Sequence, residues 1–226
     1  MIRDLAIPYM IFCDRGIVLW RRPLRENDRI VTVFTENHGK FEVNFKSVRL
    51  ARGKLRALSE PVSSGDYRFY LKSGSNFPVC TGGGTLSVFP RIRLETERLF
   101  TALYFCEVIN KLTPAHQPSP EKYALLLGAL EHLENYRGPE RGQKGRPLSP
   151  WLRRAFALRA LESAGFGFKH TAVGVDAGLW QTLHDGLWPE VGELAAEPRA
   201  LGYLDDLLKK FFSEQLDQQL KTLEFI

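Results

Sequence analysis

Residues 16–46 read GIVLWRRPLRENDRIVTVFTENHGKFEVNFK and hold three β-type runs joined by two turns. Gly16–Trp20 and Arg29–Thr35 are rich in branched and aromatic residues, and Arg21–Asp28 between them supplies the charges and turn formers of a connection. Glu36-Asn37-His38-Gly39 follows as a hairpin turn whose glycine is free to take a positive φ. Phe41, Val43 and Phe45 then alternate with Glu42, Asn44 and Lys46, a period of two that sends the aromatics inward and Lys46 to solvent.

The pattern recurs in Asp66–Lys72, with Tyr67, Phe69 and Leu71 on one face and Arg68, Tyr70 and Lys72 on the other. Thr81–Thr85 carries three consecutive glycines ahead of a last short strand, Leu86–Phe89. A phosphate-binding loop needs Gly-Lys-Ser/Thr opening a helix, and here Thr85 leads into Leu-Ser-Val-Phe, so the run reads as a turn or bulge. About five such strands suit a small closed barrel. An OB-type barrel is the expectation, although an SH3-like barrel produces much the same pattern.

From residue 91 the apolar period changes to 3.6. Arg91–Leu112 reads as one helix, Pro120–Tyr136 and Pro150–Ser163 as two more, and Leu204–Leu223 as a final amphipathic helix. Ser119-Pro120 and Ser149-Pro150 have the form of helix starts, and Gly165 that of a left-handed cap. The expected class is α+β: an OB-fold nucleic-acid-binding domain over 1–88, then an α-helical domain over 89–226. Residues 137–148, RGPERGQKGRPL, read as a flexible basic loop.

The 226 residues are 44% hydrophobic and 25% charged, as in ordinary globular chains, and no apolar run approaches the roughly 18 needed to span a bilayer. The N-terminus makes a poor signal peptide, so a cytoplasmic, nucleoid-associated location is expected. Cys13, Cys80 and Cys106 are too far apart for a metal knuckle and odd in number for a disulfide framework. The five histidines are scattered, and no cofactor or catalytic constellation stands out, so an enzyme is not expected. Net charge is +5, and its location matters more: residues 1–90 carry 14 Lys and Arg against 8 Asp and Glu, whereas 91–226 carry 17 against 18. A surface charged in this way attracts polyanions.

The densest signal is Lys46–Arg56, KSVRLARGKLR, with five cations (Lys46, Arg49, Arg52, Lys54, Arg56) and no acid. A solvated loop fits the same spacing. Arg21, Arg22, Arg25 and Arg29 form a second basic stretch diluted by Glu26 and Asp28, and together the two could track a phosphate backbone. Trp20, Phe34, Tyr67 and Tyr70 are candidate base-stacking aromatics. Strand aromatics usually face the core, and Tyr70 is the exception, because it shares the polar face with Arg68 and Lys72.

Gly16-Ile-Val-Leu, Arg22-Pro, Glu26-Asn-Asp-Arg-Ile-Val-Thr and Gly39-Lys40, at these intervals, resemble the bacterial recombination mediator family RecO. The basic loop, Leu58-Ser-Glu-Pro61 and the helical part down to Leu220–Ile226 are similar as well. The resemblance implies binding of single- and double-stranded DNA, annealing of complementary strands, and help in loading RecA at gaps coated with single-strand binding protein. Implied partners are that protein, through its acidic C-terminal tail, and RecR. Arg22, Arg29, Lys40, Lys46, Arg49, Arg52, Lys54 and Arg56 fall where the family's basic DNA-contacting residues lie. Arg153, Arg154 and Arg159 are candidates for holding the acidic tail.

One departure is plain. Many family members carry a zinc-binding cysteine cluster after the third helix, whereas this chain has no cysteine beyond Cys106, so no structural zinc is expected. Phe166, Phe168, Trp180 and Trp188 must then stabilise that region by packing. Two other readings share the same basic pattern: an RNA-binding OB module, and a protein-interaction adaptor with an acidic partner.

Overall fold

A computed structural model describes residues 9–50, 53, 55–75, 77–136, 148–167, 175–215 and 220–222. Five strands come first: β1 (Tyr9–Pro23), β2 (Arg29–Thr35), β3 (Gly39–Phe45), β4 (Ser64–Lys72) and β5 (Val79–Ser87). They follow one another laterally as β1-β2-β3-β5-β4, and β4 returns to β1 to close the barrel. Of these strands β3 and β5 pair in parallel, through Asn44–Val79, and the other neighbours pair antiparallel. This closed five-strand arrangement followed by helices is the expected α+β, OB-fold-like organisation. Inside it Val18, Val31, Val33, Phe41, Val43, Phe45, Tyr67 and Phe69 form one apolar cluster. Phe41, Val43 and Phe45 are there because the period of two aims them inward.

The β2–β3 turn holds Gly39 at φ +75°, a conformation that disfavours any Cβ. The buried Asp14 carboxylate of β1 pins this turn, accepting from the backbone N–H groups of Asn37 (3.0 Å) and His38 (3.1 Å) and from the Asn37 amide (2.8 Å). The His38 ring also lies against it, with Nδ1 at 2.7 Å.

Two strands differ from expectation. β1 is 15 residues long, and a register shift between Val18 and Trp20 leaves Leu19 as an extra residue. That bulge keeps Ile17, Val18 and Leu19 buried and turns Trp20 out to 57% exposure. The glycine run, expected as a turn or bulge ahead of a strand Leu86–Phe89, lies within β5, which ends at Ser87. Gly82, Gly83 and Gly84 pair with Arg68, Tyr67 and Asp66 inside β5, between two register shifts.

The helices are α1 (Pro90–Leu94), α2 (Thr96–Leu112), α3 (Pro120–Asn135), α4 (Trp151–Ser163), α5 (Ala177–Asp185), α6 (Trp188–Glu193) and α7 (Pro198–Gln215). The single helix expected over Arg91–Leu112 is broken at Glu95, which is extended (φ −118°, ψ 119°). Tertiary partners account for the break. Glu134 of α3 accepts from the Arg91 and Ile92 N–H groups at 3.1 and 3.0 Å, and Arg98 ties Glu95 to the Leu133 carbonyl. Ser149 is not a side-chain cap of α4, since its hydroxyl donates to the Val191 carbonyl. Gly165 does cap it, with φ +88°; its N–H reaches Glu162 and that of Phe166 reaches Leu161. The end of the final helix expected to reach Leu223 lies partly outside the described residues.

The chain divides into two compact units, Met1–Val88 with Pro114–Pro120, and Phe89–Thr113 with Glu121–Ile226. The α2–α3 connection therefore packs with the sheet: the His116 N–H donates to the Lys40 carbonyl at 2.8 Å, and its ring lies parallel to Phe41. In the second unit Phe105 stacks on Phe156 at 4.2 Å, and Trp151 is fully buried. Trp188 lies beside Phe156 and His132, Trp180 beside His184, and Phe166 edge-on to Phe211; Phe168 lies outside the described residues. Among the described residues no helix is long and apolar enough to cross a membrane.

Candidate nucleic-acid interface

The stretch Arg21–Arg29 is largely neutralised within the sheet unit. Glu60 follows a 3-10 turn (Ala57–Ser59), and its Oε1 accepts from both Arg21 Nη1 and Arg29 Nη1 at 2.8 Å. Arg29 also donates to Ser59 Oγ at 3.0 Å and is only 14% exposed. Arg22 reaches Glu42, its diagonal neighbour across β2, at 3.1 Å. Arg25, in the β1–β2 connection, is exposed.

The Lys46–Arg56 segment behaves differently. Two of its apolar positions, Val48 and Leu55, pack into the sheet core together with Leu58, while Leu50 is exposed. The Ser47 N–H donates to Asp28 Oδ1 at 2.8 Å and the Arg49 N–H to the Asn27 carbonyl at 3.1 Å, which brings this loop against the connection carrying Arg25. The described part of the loop is thus folded, and in it Lys46, Arg49 and Arg56 are exposed and make no ion pair among the described residues. Arg52 and Lys54 lie outside the described residues, as does the basic segment 137–147. Lys46, Ser47, Leu50, Gly53 and Leu55 line a cleft of about 480 Å³ with Thr81, Gly82 and Gly83 of β5. A cleft edged by lysine and floored by bare backbone admits a polyanion closely.

The remaining candidates separate by face. Arg68 and Lys72 are exposed on β4 and Tyr70 is half-buried, its ring stacked on Tyr9 at 5.6 Å. Lys40 is half-buried beside the 114–120 segment. Phe34 and Tyr67 are buried, and the Tyr67 hydroxyl donates to the Leu58 carbonyl, so neither can stack a base. Glu42, Glu60 and Tyr9 escaped the sequence reading. Glu60 lies 31 residues from Arg29, and no local pattern joins them.

In the helical unit, Arg153, Arg154 and Asp205 edge a cleft of about 210 Å³ with Tyr104, Leu208, Lys209, Phe212 and Leu220. Arg154 pairs with Asp205 and donates to the Pro150 carbonyl at 2.6 Å. Burial, and then the neighbouring charge of Arg154, make the Arg153 cation less favourable than in water. Arg159 serves elsewhere. It donates to the carbonyls of Thr182, Leu183 and Gly186 at the end of α5 and stacks over Trp188 at 4.4 Å. Cys80 is buried and its thiol is pushed up to about 11 by that burial. Among the described residues no group of His, Cys, Asp and Glu could hold a metal ion.

Two family models account for most of the chain: Recombination protein O N terminal over residues 10–89 and Recombination protein O C terminal over 93–172. The chain belongs to the RecO family. The protein described as DNA repair protein RecO of Moorella thermoacetica is 28% identical, over 96% of this chain and 90% of its own length. The RecO of Streptomyces coelicolor is 33% identical over 69% of this chain and 62% of its own length. That of Listeria monocytogenes is 26% identical over 55% of this chain. The N-terminal RecO match coincides with the sheet and its basic loop, and the C-terminal one runs from α1 past α4.

Proposed function

We propose that this RecO-family chain is a non-enzymatic DNA repair factor that binds single- and double-stranded DNA and anneals complementary strands. In this reading it also helps load RecA at gaps coated with single-strand binding protein. The supporting observation is the split among its cations. Arg21, Arg22 and Arg29 are engaged by Glu60 and Glu42, while Lys46, Arg49 and Arg56 face solvent with no ion pair among the described residues. Annealing must overcome repulsion between two phosphate backbones. Cations that screen phosphates without reading base edges lower that barrier and leave pairing free to find register.

A second site is needed where single-strand binding protein covers the DNA. Its acidic tail ends in an apolar residue flanked by carboxylates, and the cleft of Leu208, Phe212 and Leu220 beside Arg153 and Lys209 has the matching chemistry. An incoming carboxylate would add to the charges of Asp205 and Glu97 in offsetting the burial and the Arg154 repulsion that disfavour the Arg153 cation. RecR is the remaining proposed partner, and the location proposed is the cytoplasm.

Neutralising Lys46, Arg49 and Arg56 together to alanine tests the DNA reading. The slope of log affinity against log salt should fall by about two to three, since each phosphate contact contributes about 0.7–0.9. An unchanged slope, with far-UV circular dichroism intact, overturns the role of this loop. For the second site, annealing on strands coated by tail-deleted single-strand binding protein should be lost, and equal annealing on both coats overturns it.

A further inference from the structure

The sheet unit has another exposed face, on β1 and β4. The outward positions of β4 are Arg68, Tyr70 and Lys72, and antiparallel pairing sets Cys13, Ile11 and Tyr9 of β1 opposite them in that order. The Tyr9 and Tyr70 rings stack with 30° between their planes. Tyr9 is 47% and Ile11 57% exposed, so the centre of this face is apolar and aromatic. Arg68 and Lys72 bracket it, roughly 13 Å apart by strand rise, and neither makes an ion pair among the described residues. The nearest carboxylate along the row, Asp66, stands one position beyond Arg68, opposite Arg15. On β2, by contrast, the outward Ile30 and Phe34 are as buried as the inward Val31 and Val33.

A cation, an aromatic pair and a second cation in one row match the alternation of phosphate and base in an unpaired strand. A protein partner would be offered two charges with no reason for the ring stack between them. We infer that the β1–β4 face is a base-stacking platform for single-stranded DNA, with Tyr9 and Tyr70 taking a base and Arg68 and Lys72 the flanking phosphates. This rests on the DNA binding proposed above and adds a preference to it. A duplex keeps its bases stacked on one another and gains only the phosphate contacts, whereas a single strand gains the rings as well.

The full-length protein supplies its own probe. Cys13 faces the same side and is exposed, whereas Cys80 and Cys106 are buried, so a maleimide reports on this face. Saturating oligo(dT) of about 15 nucleotides, within the span of an OB site, should slow Cys13 labelling several-fold, and a blunt duplex of equal length should slow it far less. Tyr70→Ala should weaken oligo(dT) binding by about 5- to 150-fold, the range of one base–aromatic stack, leave duplex affinity unchanged, and be rescued by Tyr70→Phe. Equal labelling with and without oligo(dT), or equal losses on single strand and duplex, overturns the platform. If the Lys46/Arg49/Arg56 variant binds oligo(dT) less tightly while Tyr70→Ala binds it normally, only the platform falls. If the unsubstituted protein binds neither DNA at moderate salt, the DNA reading falls with it.

Discussion

The two basic stretches of the sheet unit, Arg21–Arg29 and Lys46–Arg56, look alike in composition and reach different electrostatic states. In the first, β-pairing carries Arg22 to Glu42, and the 3-10 turn carries Glu60 between Arg21 and Arg29. In the second, Val48 and Leu55 pack into the core, and Lys46, Arg49 and Arg56 make no ion pair among the described residues. Charge count alone does not identify a polyanion site. What matters is which cations lack an acid after folding, because a paired arginine must give up its partner before it can meet a phosphate.

Glu60→Ala should have the largest effect on stability. It removes the acceptor of two arginines, one of them nearly buried, and should cost about 2–3 kcal/mol in urea unfolding, with DNA affinity not reduced. A fall in DNA affinity with unaltered stability would break the contrast by making this cluster functional. Asp14→Asn should come next, at about 1–2 kcal/mol near neutral pH, because the carboxylate holds the Asn37–Gly39 turn. Burial raises the pKa of Asp14, but its hydrogen bonds with His38 and Asn37 outweigh this and lower it below the ordinary 3.8. A depressed folded pKa stabilises above the unfolded value and is lost as pH falls through the folded one. The penalty of Asp14→Asn measured by urea midpoints should therefore shrink on acidification below about pH 3.8, and a penalty that stays constant would remove the carboxylate charge from the account. Arg22→Gln should do least, under about 1 kcal/mol, since its pair with Glu42 is largely solvated. Its effect on the salt slope should be smaller than that of Arg49→Ala, and the reverse order would sink the division between paired and free cations.

Much of the sheet was legible because its signals are local. The run Arg29–Thr35 is the strand β2 itself, the turn before Lys40 takes its positive φ at glycine, and Phe41–Phe45 alternates as written. The misses are non-local. The bulge at Leu19 exposes Trp20 because of how β1 must bend around the closed sheet, and the glycine run became part of β5 because β4 supplies a partner for it. The helix break at Glu95 depends on Glu134 and Leu133, which stand more than 30 residues away. Within the site, the alternation of Arg68, Tyr70 and Lys72 was readable, whereas the stacking of Tyr9 on Tyr70 needed the register of β1 against β4.

By itself the sequence determined the strands β2, β3 and β4, the change from strands to helices near residue 90, the excess of positive charge in the first 90 residues, and the absence of cysteine beyond Cys106. These follow from periodicity and composition, which are properties of neighbours along the chain. Only the tertiary structure decided which arginines are spent on Glu42 and Glu60, which aromatics face water, and that Arg159 closes a helix end while Arg153 edges an apolar cleft. Ion pairing and exposure depend on distances between residues far apart in sequence, and those distances exist only once the sheet has closed and the helices have packed.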